Sequence, residues 1–180
     1  LQVYEKGRMQ SKDGYNFTYE VANMKGNLGD HVGMTEAFLD LIAEEPHYIQ
    51  TVQNSFNRLL NLDENKDNVD MLKTALLRRA QKSPEQTIYA EMLVWLFMQK
   101  KDFAGALLQA SALDKRLNED GSRMMNLARL ASNNDDFATS KKAYQIVVEK
   151  GPASSFYILA RIEKLQVMQK EVSKLPGADR

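Results

Sequence analysis

The stretch Asp102-Phe103-Ala104-Gly105-Ala106 decides the fold, because Asp136-Phe137-Ala138-Thr139-Ser140 repeats it after an interval of 34 residues. A looser copy, Gly29-Asp30-His31, places its aspartate 72 residues before Asp102, close to two further periods. Each copy lies between two segments in which apolar residues recur at the three- and four-residue spacing of helices. A period of this length predicts stacked helix–turn–helix units, which present surface to partners more often than they carry chemistry.

Proline and asparagine mark the ends of the predicted units. Pro46, Pro84 and Pro152 each follow a helical pattern of about 16 residues, and proline both stops a helix and suits the first turn of the next one. We therefore expect each proline to open a helix. Asn118 has the corresponding place in the remaining unit and is expected to cap a helix that begins near Gly121.

The predicted elements are all helices, because no window alternates polar and apolar residues over the length of a strand. The predicted helical pairs are 15–28 with 31–44, 47–62 with 68–82, 85–100 with 103–116, and 121–133 with 137–150, and a closing helix covers 153–174.

Four repeats follow from these helices, at about 15–46, 47–84, 85–118 and 119–152, with a capping helix at 153–175 and a tail at 176–180. Residues 1–14 are interpreted as the end of a preceding helix or a linker. The chain opens on Leu1 and has no signal-peptide pattern, so we interpret it as a piece of a longer protein.

The second repeat is longer than the others, with 38 residues between Pro46 and Pro84. Its extra length lies in the loop Asp63-Glu64-Asn65-Lys66-Asp67. A tolerated insertion explains this loop, because the entropy of loop closure grows slowly with length. A calcium loop is the alternative, but the glycine and the terminal bidentate glutamate that such loops need are missing.

The composition argues against several classes of function. Lysine plus arginine and aspartate plus glutamate number 24 each, and this zero net charge argues against nucleic-acid binding, which relies on phosphate neutralisation. The absence of cysteine excludes disulfides, thiolate nucleophiles and cysteine-based metal sites. No apolar run approaches the roughly 18 residues that span a bilayer, so we expect no direct membrane insertion.

The repeated motif, the period and the prolines together resemble the tetratricopeptide repeat family. That family's pattern pairs small residues where two helices approach with a Gly/Asp-aromatic turn and a terminal proline. The first repeat matches through Val21-Ala22, Leu28-Gly29-Asp30, Phe38 and Pro46. The fourth matches through Leu127-Ala128, Asp136-Phe137, Ser140, Tyr144 and Pro152. The third matches through Asp102-Phe103 and Ala106 but has Val94 and Ala110 at two other pattern positions, and the second is weakest, with Phe56 at a small-residue position.

The resemblance implies a right-handed α-α superhelix of four helical pairs and a closing helix. It also implies that the first helix of each pair lines a concave groove that binds an extended or helical peptide. The residues implied for partner binding are Tyr19, Asn23, Asn54, Asn57, Met92, Trp95, Asn126 and Arg129. The chain is also similar to bacterial multi-repeat proteins, many of them with export signals, which suggests an exported or envelope-associated protein.

Two groups of these residues have alternative interpretations. Asparagine side chains can pair with any peptide backbone, but they are equally ordinary on solvated helix surfaces. Trp95 is a candidate binding hot spot, whereas aromatic residues at helical spacing more often pack in the core. Asn23 and Asn54 match the asparagines of the family's carboxylate clamp, but its basic positions hold Tyr19, Ile88 and Met92. We therefore expect no capture of acidic chaperone tails.

Catalysis is not expected from the residues present. His31 takes the place of a turn aromatic, and His47 begins a helix without a second ligand at metal-binding spacing. The sequence has no glycine-rich phosphate loop and no Gly-x-Ser-x-Gly elbow. We expect a non-enzymatic chain without cofactor or metal.

The closing helix is expected to cap the array through one apolar stripe, with its polar side chains in water. The stripe comprises Phe156, Leu159, Ile162 and Leu165, and the polar side comprises Arg161, Lys164, Gln166 and Lys170. Self-association through this helix fits better than membrane binding, because its polar face lacks a basic bias. The predicted function is a protein-interaction scaffold. The alternative is a structural spacer or oligomerisation module inside a larger envelope-associated protein.

Overall fold

The protein is all-helical over residues 17–174, the range that the computed structural model describes, and no strand occurs in that range. The helices are α1 (Thr18–Asn27), α2 (His31–Glu44), α3 (Ile49–Leu60), α4 (Lys66–Lys82), α5 (Ile88–Gln99), α6 (Phe103–Leu117), α7 (Ser122–Asn133), α8 (Phe137–Glu149) and α9 (Tyr157–Ser173), and a 3-10 helix, Pro46–Tyr48, precedes α3. The predicted segment 1–14 and the predicted tail 176–180 lie outside the described residues.

The chain divides into two compact units, residues 1–92 and 93–180. In the first unit, α2 packs against α1, α3 and α4, and α1 also contacts α3. In the second unit, α8 packs against α7 on one side and α9 on the other, and α6 contacts α7 and α8. Two of the predicted helix pairs, α1 with α2 and α7 with α8, therefore pack against each other.

The aspartates of the repeated motif cap three helices in the same way. Asp30, Asp102 and Asp136 precede α2, α6 and α8 with φ angles of −79°, −82° and −81°. Each carboxylate accepts a hydrogen bond from the backbone N–H three residues later, at 2.8, 2.8 and 3.0 Å. Such a cap satisfies a donor that the first turn of a helix leaves unpaired.

The same aspartates also end the preceding helix. Their own N–H groups donate to the carbonyl oxygens of Lys25, Phe97 and Ala131, five residues earlier, each at 2.9 Å. The residue before each aspartate is left-handed, with φ of 83° at Gly29, 56° at Lys101 and 65° at Asp135. This combination is a Schellman helix end. One aspartate thus closes one helix and starts the next.

Small side chains occupy the helix contacts. Ala22, Ala106, Ala128 and Ser140 are all fully buried, and small residues let helix axes approach to about 8–10 Å. At Gly26 in α1, an added Cβ would lie 2.4 Å from Met34 Sδ and 2.9 Å from Leu59 Cδ1. Three helices of the first unit therefore meet at this glycine.

The prolines open helices less directly than predicted. Pro46 begins the 3-10 helix before α3, but α5 and α9 begin at Ile88 and Tyr157, several residues after their prolines. Pro84 and Pro152 lie in tight turns, in which Gln86 N–H donates to Ser83 O and Ser154 N–H donates to Gly151 O, each at 3.0 Å. The second position of a turn suits the fixed φ of proline as well as the first turn of a helix does.

One predicted asparagine boundary was wrong. Asn118 is the left-handed C-cap of α6, with φ of 48°, so it ends a helix and does not begin one. Asn tolerates this conformation better than most residues. Helix α4 begins at Lys66, two residues from its predicted start at about residue 68, and Asn65 caps it by accepting a hydrogen bond from Asn68 N–H at 3.0 Å.

The orientation of the closing helix was also predicted wrongly. Its buried residues are Ala160 and Val167, whereas Leu159, Ile162 and Leu165 of the predicted stripe are 39%, 47% and 65% exposed. Polar contacts hold the opposite face of α9 against α7 and α8. Lys164, predicted to face water, donates to Gln145 Oε1 at 2.6 Å, and Lys170 donates to Ser132 O at 2.7 Å.

We predict that Asp102→Ala lowers the free energy of unfolding by about 1 kcal/mol, because the first turn of α6 loses its side-chain acceptor. Asp102→Asn, which keeps an acceptor oxygen, should lose far less. Urea unfolding followed by fluorescence of the single tryptophan, which lies in the same unit, measures both. Equal losses for the two variants would contradict a capping role.

We predict that Ala128→Leu lowers the free energy of unfolding by about 1–3 kcal/mol, because its site is fully enclosed. Ala104→Leu is the matched control, since Ala104 is an exposed helical alanine of the same unit. The control should stay within about 0.5 kcal/mol of the wild type. Thermal and urea unfolding compare the two, and an unchanged Ala128→Leu variant would rule out a tight helix contact.

Candidate functional site

A pocket of about 250 Å³ lies between α1 and α3 in the first unit, and it contains two of the residues predicted to bind a partner. Its lining residues are Tyr19, Thr51, Asn54, Ser55 and Arg58. Tyr19 comes from α1 and the others from one face of α3, at spacings of three and four residues. The first helices of two successive predicted repeats therefore meet at a polar surface.

Aromatic packing fixes the tyrosine of this pocket. The Tyr19 ring stacks on Tyr48 with a centroid distance of 6.0 Å and lies 5.7 Å from Phe38. Its hydroxyl shares a hydrogen bond with Ser55 Oγ at 3.2 Å. The phenol thus joins the apolar core to the polar pocket, an arrangement for which tyrosine is suited.

Asn23 orients the arginine of the pocket. Its amide nitrogen donates to Tyr19 O at 3.1 Å, one turn earlier in α1, and its Oδ1 accepts from the Arg58 guanidinium at 2.8 Å. No carboxylate among residues 17–174 lies within ion-pair distance of Arg58. The guanidinium therefore presents a positive charge and further N–H donors at the edge of the pocket.

The other asparagine of the pocket keeps a donor for a ligand. Asn54 Oδ1 accepts from Gln50 Nε2 at 3.3 Å. No acceptor in the described part of the chain lies within hydrogen-bond distance of the Asn54 amide nitrogen. Asn57 is exposed on the same helix but does not line the pocket, so its role stays a prediction.

Met92 is fully buried and does not lie on an accessible surface. Gln53 Nε2 contacts its sulfur at 3.7 Å. Ile88, which also occupies a position where the family's carboxylate clamp has a basic residue, is 9% exposed. Apolar side chains such as Met92 pack inward because removing apolar surface from water is favourable. Met92 is therefore no longer among the residues expected to contact a partner.

In the second unit, Arg129 takes part in a bond between helices. Its Nε and a terminal nitrogen donate to the two oxygens of Glu163 in α9 at 2.8 and 2.7 Å, and the Tyr144 hydroxyl donates to the same carboxylate at 2.7 Å. A shallow pocket of about 320 Å³ surrounds this cluster. Such a bidentate pair fixes geometry as well as charge, so Arg129 is less available to a partner than the sequence predicted.

The cluster shifts the ionisation of its members. Hydrogen bonds from Arg129 hold the pKa of Glu163 below its ordinary value. Burial, reinforced by the neighbouring carboxylate, raises the pKa of Tyr144. A carboxylate whose pKa is lower in the folded state stabilises the fold above its unfolded pKa, and this stabilisation is lost as the pH falls.

The remaining predicted residues, Trp95 and Asn126, line neither of the two pockets described above. Trp95 is half-buried, between Val94 and Leu96, which are 5% and 1% exposed. Asn126 is exposed on α7. Ser55 and Arg58 were not predicted from the sequence. Helical spacing could have indicated them, because Ser55 lies one turn after Thr51 and Arg58 lies one turn after Asn54. Glu163 had no comparable signal, because its partners are 34 and 19 residues away.

We predict that Glu163→Gln lowers the free energy of unfolding at neutral pH by about 1 kcal/mol, because the bidentate ion pair is lost. The difference from the wild type should shrink as the pH falls through the range below 4.5, the ordinary glutamate value, where Glu163 itself becomes protonated. Chemical unfolding at a series of pH values measures this. A difference that is constant from about pH 7 to pH 3 would contradict it.

In residues 17–174, no group of three or more potential metal ligands lies together, and no helix there is both long and apolar enough to cross a membrane. The chemistry that the pocket offers is hydrogen bonding and one positive charge. Comparisons with protein-family models, with curated proteins and with solved structures found no match.

Proposed function

We propose that this chain is a non-catalytic helical-repeat scaffold, similar to tetratricopeptide arrays, that binds an extended peptide against the first helices of its repeats. A right-handed superhelical stacking of the helical pairs belongs to this proposal. The three matching Asp-centred turns and the buried small residues support it, because three of the four predicted helix pairs are connected by the same local structure, as in a repeat protein.

The observation that carries the proposal is the pocket of Tyr19, Asn54, Ser55 and Arg58. An amide donor, two hydroxyl groups and a guanidinium converge there, and α1 and α3 hold them before any ligand binds. Preorganised donors suit a ligand rich in acceptors, since little entropy is lost on ordering them. The carbonyl groups of an extended peptide are such acceptors, and an extended segment exposes them.

The charge of the site limits the choice of peptide. Arg58, bonded to Asn23, is the one cation of the pocket, and the basic positions of the family's clamp hold Tyr19 and the buried residues Ile88 and Met92, none of which is a cation. We therefore keep the prediction that acidic chaperone tails are not captured. Recognition by main-chain hydrogen bonds, with a single acidic group beside Arg58, fits the residues better.

The alternative proposal is a structural spacer or oligomerisation module of a larger envelope-associated protein. The burial of Met92 and Met125 supports it, because a methionine-rich binding face would need them accessible. The accessible Asn54 and Asn126 support the scaffold. Peptide binding at the α1–α3 pocket distinguishes the two proposals.

We predict that peptides selected from a displayed library of random 12-residue sequences bind the wild type and are weakened about tenfold by Asn54→Ala and by Arg58→Ala, because each substitution removes donors to the ligand. Gln81→Ala, an exposed polar residue on α4, is the control and should bind as the wild type does. Fluorescence polarisation measures the affinities, and circular dichroism checks folding.

Two results would count against the scaffold. One is a library that yields no binder. The other is binding that the two pocket variants leave unchanged. A selected peptide with several acidic residues, whose affinity is lost at high salt, would instead overturn the prediction on acidic tails.

A further inference from the structure

Helix α9 carries an unusual share of the exposed apolar surface. Of the ten large apolar side chains that are exposed within residues 17–174, six lie on this one helix. They are Ile158, Leu159, Ile162, Leu165, Met168 and Val172, which are 62%, 39%, 47%, 65%, 44% and 58% exposed. All but Leu159 lie within about 60° of Leu165 around the helix, and we call the surface of these five side chains the α9 stripe. Single exposed apolar residues are ordinary, but a contiguous row marks an interaction site.

The α9 stripe points away from the body of the second unit. Ile158, Ile162, Leu165 and Val172 are separated by four, three and seven residues, so they share one helix face. Ala160 and Val167, the buried residues of α9, lie on the opposite face. The stripe is therefore accessible along its whole length.

Polar bonds hold the helix in this orientation. Glu171 pairs with Lys141 at 2.5 Å, Lys174 pairs with Asp135 at 2.6 Å, and Glu163 binds Arg129. If α9 rolled inward to bury its stripe, it would break these bonds and expose Val167. The apolar face is thus presented by a rigid support, which reduces the entropy lost when a partner docks.

We propose that the α9 stripe is the interface of a symmetric dimer, in which α9 pairs antiparallel with α9 of a second copy of this chain. The two-fold axis passes beside Leu165, which meets its own counterpart. The proposal concerns residues 158–172 and is independent of the peptide pocket in the first unit.

The spacing of the apolar residues in the stripe indicates that its partner is a second copy of this chain. Counted from Leu165, its apolar residues lie at −7, −3, +3 and +7, namely Ile158, Ile162, Met168 and Val172. This order reads the same in both directions, so an antiparallel copy places an apolar residue opposite each apolar residue. Self-complementarity of this kind is the requirement of a two-fold interface.

The charges beside the stripe favour the antiparallel arrangement. In a parallel pair the two Arg161 guanidinium groups would lie at the same height. In the antiparallel pair they are about 12 Å apart along the axis, beyond the screening distance of about 8 Å at physiological salt. Arg161 then lies beside Gln169 of the other copy, whose amide oxygen accepts hydrogen bonds.

The area fits a reversible dimer. At the exposures given above, the five side chains of the α9 stripe present on the order of 500 Å² of apolar surface, near the upper limit for the largest patch of a monomer. Pairing two copies would bury on the order of 1,000 Å², the size that separates a specific interface from an incidental contact and that suits a weak, reversible dimer.

We predict that the chain dimerises at micromolar concentrations and that Leu165→Glu weakens dimerisation about 100-fold or more, because it introduces two like charges at the axis. Leu108→Glu is the control, since Leu108 is a 70% exposed leucine of α6 outside the stripe. Sedimentation velocity over a concentration series measures the dissociation constants, and circular dichroism checks that each variant is folded.

The direction of pairing is tested by cross-linking, which the absence of native cysteine makes unambiguous. Ile158→Cys and Val172→Cys, mixed and mildly oxidised, should form a disulfide-linked heterodimer, because antiparallel pairing brings the two positions together. Ile158→Cys alone should not cross-link, and Leu108→Cys serves as the background control. Parallel copies would hold positions 158 and 172 about 21 Å apart.

Three results would overturn the proposal. The first is a wild type that stays monomeric at 100 μM. The second is a dimer that Leu165→Glu and Leu108→Glu affect equally. The third is efficient cross-linking of Ile158→Cys to itself with none to Val172→Cys, which would show a parallel pair.

Discussion

One aspartate at the start of a helix does two tasks, and the rest of the fold depends on it. The N–H of Asp30, Asp102 or Asp136 closes the helix before it, and the carboxylate caps the helix after it. Because both bonds belong to one residue, the connection between the two helices is short and has the same backbone conformation at all three places. The small residues that follow can then be buried in the contact, as Ala106 and Ser140 are. A longer connection would leave these positions free to vary.

The two units use polar bonds differently at their surfaces. In the first unit, Glu36 of α2 pairs with Arg78 and Arg79 of α4, and these arginines hold its pKa below the ordinary value. In the second unit, the bonds of Glu163 and Glu171 decide which side of α9 faces inward. Individually, such ion pairs contribute little stability in water. Their effect here is to select an orientation, since apolar residues on both faces of α9 would allow more than one.

The pocket on α1 and α3 is lined by residues that also have structural tasks. Tyr19 packs against Phe38 and Tyr48, and its hydroxyl remains available to a polar pocket. Both ends of the Asn23 amide are hydrogen-bonded, to Tyr19 O and to Arg58, so this side chain orients the guanidinium. Asn54 keeps its amide donor. Two asparagines that look equivalent in the sequence therefore differ in what they offer to a partner.

The sequence by itself determined the helical class, the period and the turns, because caps, left-handed ends and apolar spacing act over a few neighbouring residues. Helix α2 has its predicted bounds for that reason. The start of α9, the direction of its apolar stripe, the burial of Met92 and the pairing of Arg129 with Glu163 were decided by tertiary structure. Each depends on residues up to 39 positions away, as Gln53 and Met92 show. Local patterns define which side chains a helix offers, and only packing decides which of them face inward.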